Sequence, residues 1–527
     1  MFQRSKADVV SRVPPHAYFF VSAIFHYLGP AFAVLLFSSV SVLGVAWFRI
    51  ASAAVIFALL AAACRGDTPQ QSPAPASTAA PAPEPKPPAA ATAYISYADA
   101  RPILDEFHAS LPADLAGKTP ADLEAAWPAW TARHDAAIRA RLAQGDEDSL
   151  VNFWLYGTSF TSRPRATEQQ VAGMRSSQVE DLLIARLDDL VDGIAAPGAN
   201  ERLRFARQVA ERHGIDPSTE DGKDKARAWL VGLRERVNAE TAKHRREAKA
   251  AVTLRDRNAS LDAYATIYHD RGLSSDTSLP VDFAVDQALA ALAATRKDPA
   301  IRRVAVVGPG LDFTDKAEGY DAYPLQTIQP FALIDSLVRL GLAKADDIRL
   351  TAFDLSPRVT EHVRSAAARA RSGAAYDLQL PLARHDPAHN WDVSLVKYWR
   401  TFGSAIGAEV QPSTRPEEGS VAWRVVRVRP DVAAALTAED LNIVVQRLEH
   451  DEGFDVILAT NVLVYYDRFE QALALANIAS MLRPGGVFVT NYLVHPSPPL
   501  EPSARIVTPV YWDRQHNGDT LFIYARR

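Results

Sequence analysis

The sequence predicts an α/β fold over residues 299–527, preceded by an all-helical region over residues 94–298 and an N-terminal membrane segment. Three observations predict this order. From Ile301 on, short apolar strands alternate with amphipathic helical segments, which is typical of a parallel sheet covered by helices. Before that point, apolar residues recur at helical spacing. Near the N-terminus, an apolar stretch is long enough to cross a bilayer of about 30 Å.

The N-terminal segment allows two interpretations. A basic tail over residues 1–16 precedes the apolar residues 17–64. One interpretation is a helical hairpin that returns the chain to the cytoplasm. The other is a secretory signal with a degenerate lipoprotein processing site, in which the single cysteine, Cys64, would be lipidated and the protein would face the periplasm or exterior. Residues 65–93 are rich in proline and alanine and predict a disordered linker.

Residues 14–60 resemble the start of transporters of the drug/metabolite superfamily. The resemblance covers about a tenth of the chain, and the many further spans of such a transporter are missing. Transport is therefore not expected. A gene fusion or a misassigned start codon would account for this segment equally well.

Composition excludes several classes of function. The formal net charge of −5 gives no electrostatic basis for a nucleic-acid partner. One cysteine excludes an intramolecular disulfide and a cysteine-rich metal site. The histidines show no metal-ligand spacing, so we predict no metal.

The helical region begins its clearest helix at Thr119, whose hydroxyl can cap the helix, followed by Pro120 in the first turn. An aromatic cluster, Phe153, Trp154, Tyr156 and Phe160, is interpreted as core packing. A helix is predicted from Asp282 to about Thr295.

The first predicted strand, Arg303–Val307, runs into the turn Gly308-Pro309-Gly310. Glycines at such a turn allow a ligand to approach the backbone, although a glycine turn can also simply end a strand. The next strand, Ile348–Phe353, ends at Asp354, which could accept hydrogen bonds from both hydroxyls of a ribose. Between them, the insertion Phe313–Pro330 is interpreted as a lid, with a surface elaboration as the alternative.

The most specific pattern is a strand–helix–strand unit. Phe454–Thr460 predicts a strand, Arg468–Leu482 a helix, and Val487–Asn491 a further strand after a Pro-Gly-Gly breaker. Two β-rich segments joined through an Asn-Gly turn predict a final hairpin.

The order of these segments resembles class I S-adenosylmethionine-dependent methyltransferases, whose sheet is parallel except for a closing antiparallel strand. Asn461–Asp467 and Met481–Gly486 are particularly similar to the chemotaxis receptor methyltransferases. The resemblance implies a Rossmann-like sheet of seven strands and S-adenosyl-L-methionine as cofactor. It assigns four pairs of residues to a cofactor site: Gly308 and Gly310 at the methionine portion, Asp354 with Leu355 at the ribose, Leu441 and Asn442 near the adenine, and Asn461 with Val462 under the sulfonium. It also implies that Tyr465 is the catalytic residue, near the transferred methyl.

Two departures from the family pattern concern the glycine turn. Val306 stands where an acidic residue is usual, and Asp312 replaces the third glycine. The leading hypothesis is a membrane-tethered methyltransferase, cytoplasmic if catalytic, whose acceptor is a protein carboxylate or a small molecule. The alternative is a non-catalytic binding or scaffold protein that keeps the fold. An NAD-dependent oxidoreductase would explain the glycine turn and Asp354, but not the segment Asn461–Asp467.

Overall fold

A computed structural model describes the chain from residue 91 onwards. The described residues are 91–253, 263, 265–276, 279–295, 301–311, 321, 324–383, 391–412, 421–449, 452–495, 498–511 and 518–527. The predicted tail, membrane segment, lipidation site at Cys64 and transporter-like segment lie outside them and stay predictions. Within the described ranges, no helix is both long enough and apolar enough to span a membrane.

The first part of the described chain is mainly helical, as predicted. One strand, β1 (Ala91–Tyr94), precedes the helices. They are α1 (Tyr97–Glu106), α2 (Pro120–Tyr156), α3 (Glu168–Val171), α4 (Ser176–Ala195), α5 (Glu201–Arg212), α6 (Glu220–Thr253) and α7 (Leu279–Ala293). Thr119 caps α2 by accepting a hydrogen bond from the backbone N–H of Asp122, as the sequence predicts.

The helices α2, α4, α5 and α6 pack around a shared apolar core. Phe153 and Trp154 are buried there, and Phe153 meets Phe160 edge to face with ring centroids 4.9 Å apart. Three of the four aromatic residues, Phe153, Trp154 and Phe160, therefore pack in or against this core, as predicted. Helix α7 instead packs on the sheet that follows.

The remaining elements alternate strands with helices. They are β2 (Arg303–Val307), α8 (Gln329–Arg339), β3 (Arg349–Asp354), α9 (Pro357–Arg371), β4 (Tyr376–Ala383), α10 (Val393–Thr401), β5 (Gly407–Val410), β6 (Val421–Val428), α11 (Pro430–Ala434), β7 (Leu436–Asp440), β8 (Gln446–Glu449), β9 (Phe454–Ala459), α12 (Arg468–Met481), β10 (Leu482–Thr490), β11 (Leu500–Pro509) and β12 (Gly518–Arg526).

Among the described residues, seven strands form one sheet in the order β11-β12-β10-β9-β2-β3-β7. All are parallel except β12, which is antiparallel to β10 and to β11. The fold is thus α/β, with a mixed sheet of the kind that the resemblance implies. Both faces are covered, because Val304 and Val306 of β2 enter one apolar core while Ala305 and Val307 enter the other.

Three parts of the sheet region differ from the sequence predictions. Strand β10 begins at Leu482 rather than Val487, because the Pro-Gly-Gly breaker forms an irregularity inside the strand instead of a separate turn. A second sheet of three antiparallel strands, β4-β6-β5, was not predicted. Strand β1 was also missed, and it includes residues 91–93, which were predicted to be disordered linker; its partner β8 lies more than 350 residues away in sequence.

Candidate functional site

A cavity of about 360 Å³ lies at the carboxyl edge of the sheet, where β2, β3 and β9 end. Its volume falls within the range of small-molecule sites. Most of the residues that the sequence assigned to a cofactor site line it together: Gly308, Gly310, Asp354, Leu355, Leu441, Asn461, Val462 and Tyr465. The carboxyl edge of a parallel sheet brings these residues together, although they span more than 150 positions.

The glycine turn after β2 has a backbone that favours glycine. Gly308 and Gly310 have φ angles of 65° and 66°, a region that a side chain makes costly. A Cβ atom on Gly308 would lie 2.8 Å from Cγ2 of Val462, too close for a normal contact. The N–H of Gly308 donates to the carbonyl of Phe353 at 2.8 Å, which ties the turn to β3.

Asp354 ends β3 and points its carboxylate at the same turn. Its Oδ1 accepts a hydrogen bond from the backbone N–H of Ser356 at 2.7 Å, and the amide of Gly310 also donates to the carboxylate. Burial raises the pKa of Asp354 to about 7, and the negative charge of Asp440 adds to the rise, against the lowering effect of the backbone hydrogen bonds. The group can therefore change protonation near neutral pH.

The segment after β9 forms the opposite end of the cavity. Asn461 has a left-handed backbone, with φ of 57°, and exchanges two hydrogen bonds of 2.8 Å with Asn491 on the neighbouring strand end. A short 3₁₀ turn, Leu463–Tyr465, then places Tyr465 in the cavity wall. The carbonyl of Tyr465 accepts a hydrogen bond from Arg141 of α2 at 2.9 Å.

Tyr466 and Asp467 follow Tyr465 and carry titratable groups that a base could use, but packing and helix capping compete as explanations. Tyr466 lines the cavity, is 3% exposed and has a pKa raised by burial. Asp467 caps α12: its Oδ1 accepts from the N–H of Glu470, and Glu470 accepts from the N–H of Asp467, each at 2.9 Å. Capping thus accounts for Asp467.

Asn442 lies outside the lining of this cavity. Its side chain is fully buried, and its Nδ2 donates to Asp135 of α2 at 2.9 Å. Its Oδ1 accepts from the N–H of Val444 at 3.1 Å. The geometry therefore gives Asn442 a part in joining the sheet to α2.

The sequence did not assign the second wall of the cavity, which the helical region supplies. The segment between α6 and α7 contributes Tyr268, Arg271, Leu273, Ser274, Ser275 and Asp276. Arg141 fixes this segment by donating to the carbonyls of Tyr268 at 3.3 Å and Arg271 at 3.1 Å. No local pattern marks these residues, because only the docking of the segment onto the sheet brings them to the ligand edge.

Gln329, at the start of α8, is a further lining residue that the sequence did not assign. Its Nε2 donates to Thr460 at the end of β9 at 2.8 Å and to Asp282 of α7 at 3.3 Å. Asp282 is buried, and burial raises its pKa to about 7. Gln329 therefore connects its own helix α8 to α7 and to the end of β9 at the cavity.

The predicted lid, Phe313–Pro330, is described only in part. Its residue Asp321 is buried and accepts a hydrogen bond from the hydroxyl of Ser159 at 2.8 Å. The N–H of Leu325 donates to Glu201 of α5 at 2.9 Å. These residues are anchored on the helical region, while residues 312–320 lie outside the description and leave the lid a prediction.

The chain was compared with known proteins. No protein-family model matches it. A chemotaxis protein methyltransferase of Klebsiella aerogenes is 30% identical over 79 residues, which are 15% of this chain and 26% of that protein. The chain thus spans about a quarter of the length of the curated relative it matches.

Methyltransferases are among the solved structures that are similar to the chain. The N-methyltransferase NodS from Bradyrhizobium japonicum is 13% identical, with 47% of this chain and 96% of that chain covered, at a TM-score of 0.24. The magnesium protoporphyrin IX methyltransferase from Synechocystis, solved with bound S-adenosylmethionine, is 9% identical, with 47% and 81% covered, at a TM-score of 0.24.

Proposed function

We propose that the chain binds S-adenosylmethionine in the cavity at the carboxyl edge of the sheet and transfers its methyl group to an acceptor. One observation carries the proposal: the glycine turn, Asp354 and the segment that begins at Asn461 line a single cavity. The stretch of 30% identity to a protein named as a chemotaxis methyltransferase supports the same class of reaction.

The residues present fit this cofactor. A carboxylate at the end of β3 can accept hydrogen bonds from the hydroxyls of a ribose, and the glycine turn lets the backbone come close to the ligand. Leu355 and Leu441 offer apolar surface for an adenine, and both line the cavity. Asn461, Val462 and Tyr465 lie at the other end of the lining, where the reacting end of the cofactor would be held.

Bound S-adenosylmethionine supplies a methyl group that is already activated for in-line displacement. The protein then needs chiefly to align the acceptor and to exclude water. Tyr465, which lines the cavity, would align the acceptor, and the segment Tyr268–Asp276 covers the cavity from the helical side. A carboxylate acceptor needs no base. This agrees with the structure, because Asp467 caps a helix and need not act as a base. We propose a protein carboxylate or a small molecule as acceptor.

We also propose that residues 17–64 tether the enzyme to a membrane, with the catalytic part in the cytoplasm. The apolar composition of that segment supports the proposal. A reporter fused after Arg527 tests the side of the membrane. Activity of a reporter that works only in the cytoplasm is expected; activity of a reporter that works only outside would favour the lipoprotein alternative.

Calorimetric titration of the full chain with S-adenosylhomocysteine tests cofactor binding. We expect one binding site, and no binding of NADH in the same buffer. Folded protein that binds neither ligand would contradict the proposal. Binding of NADH alone would favour an oxidoreductase.

A specific observation favours the non-catalytic alternative as a second candidate. Val306, where the resembling family has an acidic residue, is fully buried in the core and offers no polar group. A transfer assay with methyl-labelled cofactor and extract of cells lacking the protein separates the two candidates. Labelled product supports the enzyme, whereas cofactor binding without product supports the binding protein.

A further inference from the structure

Glu470, in the first turn of α12, lies between two imidazole rings outside the cavity. The Nε2 atom of His134 is 2.9 Å from its Oε1, and the Nε2 atom of His269 is 3.2 Å from its Oε2. The Glu470 side chain is only 3% exposed, whereas that of His269 is 44% exposed. The carboxylate is thus buried beside a ring that water can reach.

Asp467 adds a third donor to this cluster. Its Oδ2 is 3.9 Å from Nε2 of His269, and one donor atom from each of His269, Asp467 and Glu470 lies within 4.8 Å of the other two. Around a tetrahedral zinc ion with bonds of about 2.0–2.2 Å, neighbouring donors are about 3.3 Å apart. The separation of 3.2 Å between His269 and Glu470 matches this value, while the 3.9 Å between His269 and Asp467 exceeds it, so side-chain rotations would bring all three donors to one ion.

Further hydrogen bonds hold both carboxylates in place. The capping box fixes Asp467 through Oδ1 and Glu470 through Oε2, each with a backbone N–H at 2.9 Å. Nε2 of His134 lies 2.9 Å from the other oxygen of Glu470, and the His134 ring is stacked on Trp130 with centroids 4.5 Å apart. Metal-binding carboxylates are typically oriented by such outer contacts.

The charges of the cluster suit a cation. Burial opposes ionisation of Glu470, but the hydrogen bonds and charges of His134 and His269 outweigh it and hold its pKa at about 2. The hydrogen bond to Glu470 raises the pKa of His269, with the charge of Asp467 in support and burial and the charge of Arg141 in opposition. A proton on His269 would therefore compete with a metal ion for the same nitrogen.

We propose that His269, Asp467 and Glu470 bind a divalent transition-metal cation such as Zn²⁺, with His134 as a positioning residue. One imidazole and two carboxylates are suitable ligands for such an ion, and the exposed side of His269 leaves room for water. The ion would join the segment that covers the cavity to the start of α12. The sequence predicted no metal, because His269 and Asp467 lie almost 200 positions apart and show no ligand spacing.

The test is a calorimetric titration of the full chain, stripped with a chelator, with zinc chloride alone. His269→Ala is compared with His213→Ala, because His213 also lies 2.9 Å from a glutamate, Glu147, and is 42% exposed. We expect the wild type and His213→Ala to share a site that His269→Ala loses or binds at least about tenfold more weakly. Equal affinity and stoichiometry in all three proteins would overturn the proposal.

Asp467→Asn provides a variant that keeps the helix cap, since asparagine is as good an N-cap as aspartate. We expect weaker zinc binding with an unchanged melting temperature in chelator. If Asp467→Asn bound zinc as tightly as the wild type, the proposal would be overturned, and the cluster would be a network of ion pairs without a metal. Neither outcome depends on cofactor binding.

Discussion

The two walls of the cavity are built in different ways. The sheet wall consists of residues that directly follow β2, β3 and β9, so each is placed by the strand before it. The helical wall, Tyr268–Asp276, follows a helix, and Arg141 of α2 holds its backbone through side-chain hydrogen bonds. The position of the sheet wall is therefore determined by local sequence, whereas the position of the helical wall depends on long-range contacts. Substitutions at the sheet wall should accordingly weaken cofactor binding more than substitutions at the helical wall.

Replacing Asp354 with alanine should have the largest effect on cofactor binding. The loss of hydrogen bonds to a charged acceptor, worth about 1.5–3 kcal/mol, should weaken binding of S-adenosylhomocysteine roughly 10- to 100-fold. Titration calorimetry measures the change. Asp377→Ala is the control, because Asp377 pairs with Arg427 on the three-stranded sheet. Equal affinity in both variants would contradict the assignment of Asp354.

Binding at the sheet wall should also depend on pH. The pKa of Asp354 is raised to about 7, so its carboxyl group is mainly neutral at pH 6 and mainly ionised at pH 8. The ionised form accepts hydroxyl donors better, and affinity for S-adenosylhomocysteine should therefore rise about tenfold over this range. Asp354→Asn should bind with an affinity independent of pH. A pH profile shared by the wild type and Asp354→Asn would exclude this group as its origin.

A matched pair of glycines separates strain from ligand contact. Gly308→Ala and Gly341→Ala both place a side chain at positive φ, with an expected loss of about 1–2 kcal/mol in the free energy of unfolding. Gly341 has open space around its Cβ position, whereas Gly308 meets Val462 in the cavity. Only Gly308→Ala should weaken cofactor binding, by several-fold. Urea unfolding measures the free energy of unfolding, and calorimetry measures cofactor binding. An equal loss of binding in the two variants would show that backbone strain, and not ligand contact, causes the effect.

Arg141→Ala should have the smallest effect, because it loosens the helical wall without removing a ligand contact. The carbonyls of Tyr268, Arg271 and Tyr465 would lose their shared donor. We expect affinity to fall a few-fold, with faster amide hydrogen exchange in residues 265–276. Arg133→Ala on the same helix is the control, because Arg133 makes a largely exposed pair with Asp114. An effect of Arg141→Ala as large as that of Asp354→Ala would contradict the distinction between the walls.

The sequence predicted the sheet wall well because its information is local. Arg303–Val307 is a strand with the predicted bounds, Asp354 ends its strand, and Asn461 follows its strand closely. Turn glycines and strand ends leave signals within a few residues. Asn442 is the exception among the predicted residues, because its contact with Asp135 of α2 could not be inferred from its neighbours in sequence.

The helical wall and the three-stranded sheet were missed for a shared physical reason. Arg141 and Tyr465 are 324 positions apart, and their contact exists only once α2 lies against the sheet. The strand β4 pairs with β6 across a helix and other intervening chain, so no hairpin signal marks the pair. Gln329 was likewise not predicted, because its role depends on contacts with Thr460 and Asp282, which lie on two other elements.

A structure of the full chain with bound S-adenosylhomocysteine tests the central claim most directly. The account predicts the ligand in the cavity of about 360 Å³, with its ribose hydroxyls at Asp354 and its sulfur toward Asn461 and Tyr465. A second cavity of about 770 Å³, lined by Arg139, Arg212 and Arg358, lies among the helices next to Ser356. Ligand bound there, with Asp354 and Asn461 untouched, would contradict the account.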